Sequence, residues 1–109
     1  MATNFKVLGQ IQSVANTLQD VYVVPNNANT IVSTINVCNQ ASTSDIFRVA
    51  IRPGNATIQS KHYIAFNTTV PPNDTVSLSL GLGLGQTDVI TVMANTSSVS
   101  FGIFGTEIS

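Results

Sequence analysis

Few residues in this chain are of a type that does chemistry, and the spacing of each can be tested against a known pattern. His62 is the sole histidine and lies between Lys61 and Tyr63 at the head of a β-type run. A nucleophilic triad needs an imidazole within hydrogen-bond reach of a hydroxyl and oriented by a carboxylate. No G-x-S-x-G elbow accompanies His62. One histidine and one cysteine, Cys38, supply fewer imidazole and thiolate ligands than a transition metal takes. His62 therefore reads as a loop or interface residue.

The run Gly81-Leu82-Gly83-Leu84-Gly85 has the spacing GxGxG. A phosphate loop needs a Lys-Ser/Thr pair after its glycines, and a dinucleotide fingerprint needs a helix opening at them. Here Gln86-Thr87-Asp88 leads into a strand over Val89 to Met93, so the glycines read as a strand end where backbone comes close, or as a bulge. The five acids (Asp20, Asp45, Asp74, Asp88 and Glu107) are dispersed and form no acid–base pair of the kind a glycosidase uses. Asp45, Asp74 and Asp88 stand at turn-to-strand junctions, where aspartate accepts local backbone hydrogen bonds. No catalytic residue, cofactor site or metal site is expected.

Arg48 and Arg52 are the pair that stands out. At i and i+4 on one strand they share a face, about 13 Å apart at the strand rise. Two readings fit: charges on an outer face that discourage edge pairing, or a docking face that grips carboxylates on a partner. Both place the pair outside the core. Cys38 reads as a small buried apolar residue. Tyr22, Tyr63 and the phenylalanines read as core or interface rather than as a sugar-stacking platform.

The elements that must carry these residues follow a period of two. Val76, Leu78 and Leu80 alternate with Thr75, Ser77 and Ser79; Phe47, Val49 and Ile51 alternate with Arg48, Ala50 and Arg52; Val99, Phe101 and Ile103 alternate with Ser100 and Gly102. Less strict runs cover Phe5 to Ile11, Gln19 to Val24, Thr30 to Cys38, Tyr63 to Val70 and Asp88 to Ala94, which makes about eight strands. Turn clusters separate them, and all 4 prolines fall between runs, as their missing N–H requires. The fold class expected is all-β, a single-domain β-sandwich or jelly roll of antiparallel strands over 1–109, with residues 1–6 available as an extended arm. The longest connection, Pro53 to Lys61, is expected to cross from one sheet to the other. A Val-Pro-x-Asn corner occurs twice, at Val24 and at Val70, and reads as one corner chemistry used twice.

The 109 residues carry 8% charge, against about 25% in an ordinary soluble domain. Four cations, five anions and a formal net charge of -1 exclude a nucleic-acid binder that works by displacing counterions, and a polybasic membrane patch. Hydrophobic residues reach 43% and mean hydropathy is +0.28, the opposite of a disordered composition. Thr, Ser and Asn take the place of charge on the surface. A surface with so little repulsion favours association. No apolar run approaches a membrane span and no signal-type h-region opens the chain, so synthesis and folding in a reducing cytoplasm are expected.

Several stretches resemble a family of small virion proteins of tailed bacteriophages, frequent in cyanophages and marine phages. They are Ile31-Val32-Ser33-Thr34-Ile35-Asn36-Val37-Cys38-Asn39, Phe47-Arg48-Val49-Ala50-Ile51-Arg52-Pro53, Lys61-His62-Tyr63-Ile64-Ala65, Asn73-Asp74-Thr75-Val76, Thr87-Asp88-Val89-Ile90-Thr91-Val92 and Phe104-Gly105-Thr106-Glu107-Ile108. The resemblance implies a non-enzymatic β-sandwich structural protein of the virion, made in the host bacterial cytoplasm. A head decoration (cement) protein acting as a homotrimer is the first expectation, with the major capsid protein as partner. A tail, baseplate or fibre component is the second, and a module binding host-surface carbohydrate the third. The residues expected to touch partners are Ala2, Thr3, Asn4, Phe5, Lys6, Arg48, Arg52, Lys61, His62 and Tyr63.

Overall fold

The computed structural model describes residues 3–108, with side chains from Phe5 onward. It contains eight strands: β1 (Thr3–Gln12), β2 (Gln19–Val23), β3 (Asn29–Asn39), β4 (Asp45–Arg52), β5 (Tyr63–Val70), β6 (Thr75–Leu84), β7 (Val89–Ala94) and β8 (Val99–Ile108). Two short 3-10 turns, Pro53–Asn55 and Ser60–His62, lie between β4 and β5. The strands form two four-stranded antiparallel sheets, ordered β1-β8-β3-β6 and β2-β7-β4-β5. Fold class is therefore as the alternation implied.

The pairing is nested. β1 pairs with β8, β2 with β7, β3 with β6 and β4 with β5, and the contacts β3·β8 and β4·β7 join these pairs into sheets. One long hairpin, doubled back at the β4–β5 loop and then rolled up, produces this pattern, which is a jelly roll. The roll corrects one expectation. The long β4–β5 connection does not cross between sheets, because it is the fold-over point and its two strands are neighbours in one sheet. Every shorter connection does cross, since packed sheets are only about 10 Å apart and a few residues span that gap. The two Val-Pro-x-Asn corners are among these crossings, one leading into β3 and the other into β6.

Asparagine makes the corners possible. Asn16, Asn27, Asn55 and Asn73 in the connections, and Asn67 within β5, all have φ between 51° and 62°. Its short amide tolerates the left-handed region and bonds locally to the backbone there. The abundance of Asn in this sequence thus has a conformational use.

The core lies between the sheets. Val32, Ile35, Val37, Phe47, Val49, Ile90, Val92 and Ile103 are fully buried, and Phe47 of one sheet meets Phe101 of the other edge-to-face at 6.3 Å and 69°. Cys38 is not among them. Val37 and Asn39 hold the inward positions of β3, so the alternation turns Cys38, which is half-buried, to the outer face beside Ser100 and Thr75. The glycine run also differs in part from expectation. β6 continues through it to Leu84 with a register shift near Leu80, but a Cβ at Gly81 or Gly83 would meet nothing within 4 Å. Close backbone approach occurs instead at Gly9 and Gly105, where a Cβ would strike the main-chain carbonyls of Val21 and Ile31.

Candidate functional site

Arg48 and Arg52 do lie on one face of β4, the outer face of the β2-β7-β4-β5 sheet, with Ala50 between them. Their surroundings differ because β4 has different neighbours at its two ends. Near Arg48 the β4–β5 register slips, so that Phe47 pairs with Thr68 and Val49 with Ala65. The slip sets two β5 residues, Phe66 and Asn67, against Arg48 alone, one more than regular pairing has, and Asn67 takes a left-handed conformation with φ 51°. Bulges of this kind re-aim side chains. Here Asn67 Oδ1 accepts from Arg48 Nε at 2.7 Å, and the guanidinium carbon lies 4.1 Å from the Phe66 ring centroid and 5.9 Å from that of Tyr63. The two rings pack edge-to-face at 5.0 Å. Arg48 is clamped at its inner nitrogen and against two aromatic rings, while its Nη nitrogens have no acceptor and no carboxylate among the described residues. The outcome is a fixed, outward-facing fork of donors, the geometry that recognises carboxylates bidentately.

Arg52 is enclosed. Its Nε donates to Thr91 Oγ1 at 2.9 Å, Nη1 to the Ala56 carbonyl at 3.0 Å and Nη2 to Asp20 Oδ1 at 2.8 Å. Thr91 in turn donates to the same Asp20 oxygen at 2.8 Å. The network ties β2, β7 and β4 to the long loop, which folds back over the sheet and is held further by Gly54 N–H on Asp88 Oδ1 at 2.8 Å. It also explains why all six residues of β7 are buried, on the outer face as well as the inner.

The remaining expected contact residues scatter. His62 is buried, and its Nδ1 accepts the Gln59 N–H at 3.0 Å, which caps the Ser60–His62 turn. Lys61 and His62 border an apolar groove of about 530 Å³ lined by Ile51, Ile64 and Leu82, away from the ring pair that Tyr63 forms beside Arg48. Thr3 to Lys6 belong to β1 and pair with β8, Phe5 being 85% exposed. Ala2 lies outside the described residues. Lys6 Nζ contacts Glu107 Oε1 at 2.7 Å, and Glu107 Oε2 accepts the Tyr22 hydroxyl, which also bonds Thr30 at 2.8 Å. This clasp links the two sheets. The Lys6 ammonium, aided by the Tyr22 hydroxyl, holds Glu107 below the usual carboxylate range. Burial, with the Glu107 hydrogen bond, pushes the Tyr22 hydroxyl from 10.0 up to about 12.

The turn aspartates behave as expected. Asp45 accepts from Ile46 N and from Thr96, and Asp88 from Gly85 N and Gly54 N, so both oxygens of each are occupied. Asp74 differs, since Oδ1 accepts from Thr75 N at 2.8 Å while its other oxygen meets no donor among the described residues.

Sequence reasoning missed Asn39. This 1% exposed residue at the end of β3 donates its amide to the Thr43, Val70 and Pro71 carbonyls at 2.8, 3.3 and 3.2 Å, and its Oδ1 accepts the Ala41 N–H at 3.0 Å. Its own N–H donates to the Asp74 carbonyl at 2.9 Å, and Asn73 N–H to that of Ala41 at 3.0 Å. The corner Pro71–Asp74 is thereby fixed from below, with both prolines exposed. The only sequence signal was an Asn at a position where the alternation calls for an apolar residue. Asn67 and Phe66 carried no signal at all, since a bulge in mid-strand has no turn composition to mark it.

No protein-family model matches this chain, and no curated protein matches it by sequence. Solved structures do match its fold. A chain of the T13 viral particle of infectious bursal disease virus aligns with TM-score 0.53 and 10% identity, over 97% of this chain and 29% of that one. The structure of the Gx strain of the same virus aligns with TM-score 0.53 and 6% identity, over 97% and 31%. The acid-stable capsid structure of Helicobacter pylori bacteriophage KHP30 aligns with TM-score 0.45 and 9% identity, over 99% of both chains. The two infectious bursal disease virus chains come from viral particles, and at 10% and 6% identity what they share with this chain is the fold. This chain spans less than a third of the length of the infectious bursal disease virus chains it matches.

Proposed function

We propose that this chain is a non-enzymatic structural protein of a bacteriophage virion, made in the host bacterial cytoplasm, which decorates and cements the head as a homotrimer against the major capsid protein. The observation that carries the reading is an exterior with almost no free charge and with large apolar side chains left uncovered. Phe5, Val7, Ile31, Ile64 and Phe66 are between 42% and 85% exposed, while Lys6 and Arg52 are paired with carboxylates of the chain itself. Such a surface gains from being covered and has little charge to keep copies apart. The sequence resemblance to small phage virion proteins and the fold likeness to a viral particle chain support the same assignment.

Of the residues expected at partners, Phe5, Arg48 and Tyr63 keep that role in the proposal, together with Ala2, Thr3, Asn4 and Lys61. Arg52 and His62 support the surface from behind, and Lys6 stays exposed on it while paired with Glu107. Purified protein mixed with undecorated heads should co-sediment with them, and light scattering should give three copies per particle. Gentle separation of heads from tails then tests the address, and recovery with the tails would replace cement by a tail or baseplate role.

A further inference from the structure

The charges of the described residues nearly all close within the chain. Lys6 meets Glu107, Arg52 meets Asp20, and both oxygens of Asp45 and of Asp88 are taken by donors of the chain. Apart from Asp20 Oδ2, whose carboxylate is already paired with Arg52, three groups are left over: the exposed Lys61, the Arg48 fork and one oxygen of Asp74. Lys61 is unanchored. Arg48 is clamped by Asn67, Phe66 and Tyr63, and Asp74 sits on a corner clamped by Asn39. We propose that the Pro71–Asp74 corner of one copy docks on the Arg48–Tyr63–Phe66 face of a second copy, Asp74 accepting from the Arg48 Nη nitrogens while Pro71 and Pro72 pack on the exposed ring of Phe66. This rests on the self-association reading above and names the contact that makes it.

Three features support the match. The charges are complementary and lack partners within their own chain. Proline rings on aromatic side chains are a recurring docking mode. Both sides are held in place before contact, so little side-chain entropy is lost on binding. An exposed ion pair alone holds little, but arginine and tyrosine are among the residues enriched at hot spots, where surrounding contacts exclude water. A standard interface takes about 800 Å² from each partner, about a seventh of the 5532 Å² of this chain. The contact therefore extends beyond the pair, over the 41–44 loop beside the corner on one copy and over β4 and β5 on the other. Corner and socket are different patches, so copies follow one another head to tail, and a rotation that closes at three copies gives the ring a trimer requires.

The test is light scattering across a concentration series on the full chain, with circular dichroism as a check of fold. Arg48→Asp and Asp74→Arg alone should each weaken assembly about 30-fold or more, the loss expected of a hot-spot residue. The double variant Arg48→Asp/Asp74→Arg should recover at least tenfold of that loss. Folded single variants that assemble like the wild type would overturn this contact and leave self-association standing on other surfaces. A double variant no better than the singles would also overturn it. A wild-type chain that stays monomeric at every concentration would remove the self-association reading itself.

Discussion

Arg48 and Arg52 are the same residue type, four positions apart on one strand and one face, yet one guanidinium is open and the other enclosed. The difference lies in what stands beside β4 at each level. Arg52 lies next to β7 and within reach of β2, where Thr91 and Asp20 offer oxygens, and beneath a loop whose Ala56 carbonyl closes the set. Arg48 lies next to the edge strand β5, at the level where its register slips and presents one amide and two rings. An arginine surrounded by acceptors becomes a structural tie. One that is clamped at Nε and left open at Nη becomes a recognition element.

Substitutions should separate the two kinds of site by what they cost. Asn39→Ala, at a 1% exposed polar position, should lose about 3 kcal/mol in urea unfolding, because it strips four hydrogen bonds and leaves buried groups unpaired. Arg52→Ala should lose about 2 kcal/mol, since three bonds go and Asp20 keeps only its Thr91 contact. An Arg52→Ala chain as stable as the wild type would erase the contrast. Arg48→Ala should change stability by about 0.5 kcal/mol or less, as one exposed hydrogen bond and the ring contacts with Phe66 and Tyr63 at the surface contribute little. Its effect should appear in assembly instead.

The Tyr22–Glu107–Lys6 clasp extends the enclosed class and adds pH dependence in two windows. Glu107 is held below its unfolded value, so its contribution is full above the ordinary carboxylate range and is lost as pH falls through the folded value. Glu107→Gln should lie below the wild type at neutral pH and converge with it in acid. Tyr22 is raised, so its contribution is full below its ordinary 10.0 and is lost as pH rises toward about 12. Tyr22→Phe should remove that part of the alkaline fall, and calorimetry over both limbs reads the two effects.

Much of the fold was legible because a strand announces itself locally. Alternation in Val76 to Leu80 or Val99 to Ile103 requires only that one face be buried, and the proline and asparagine clusters mark where the chain must turn. The local half of the roles of Asp45 and Asp88 was legible for the same reason, since Ile46 N and Gly85 N are near neighbours in the chain, whereas their bonds to Thr96 and Gly54 are not. Cys38 was misplaced because alternation states that two faces differ but does not say which is inner when a polar Asn39 competes for the buried side. The long connection was misassigned because its length suggested distance, whereas the nested pairing made it the hinge of the whole roll.

The sequence by itself determined the strand count, the uncharged exterior and the candidate pair of arginines, because these depend on composition and on periods of two. Only the tertiary structure decided that Arg52 is closed and Arg48 open, that Asn39 pins the Pro71–Asp74 corner and that Asp74 keeps a free oxygen. Each of these depends on which strands pair and in what register, over separations of 19 to 39 residues for the contacts of Arg48 with Asn67, of Arg52 with Thr91 and of Asn39 with Pro71. Local pattern carries no information at that range, since a slip of one residue in β5 would exchange the partners of Arg48 without altering the alternation that makes β5 a strand.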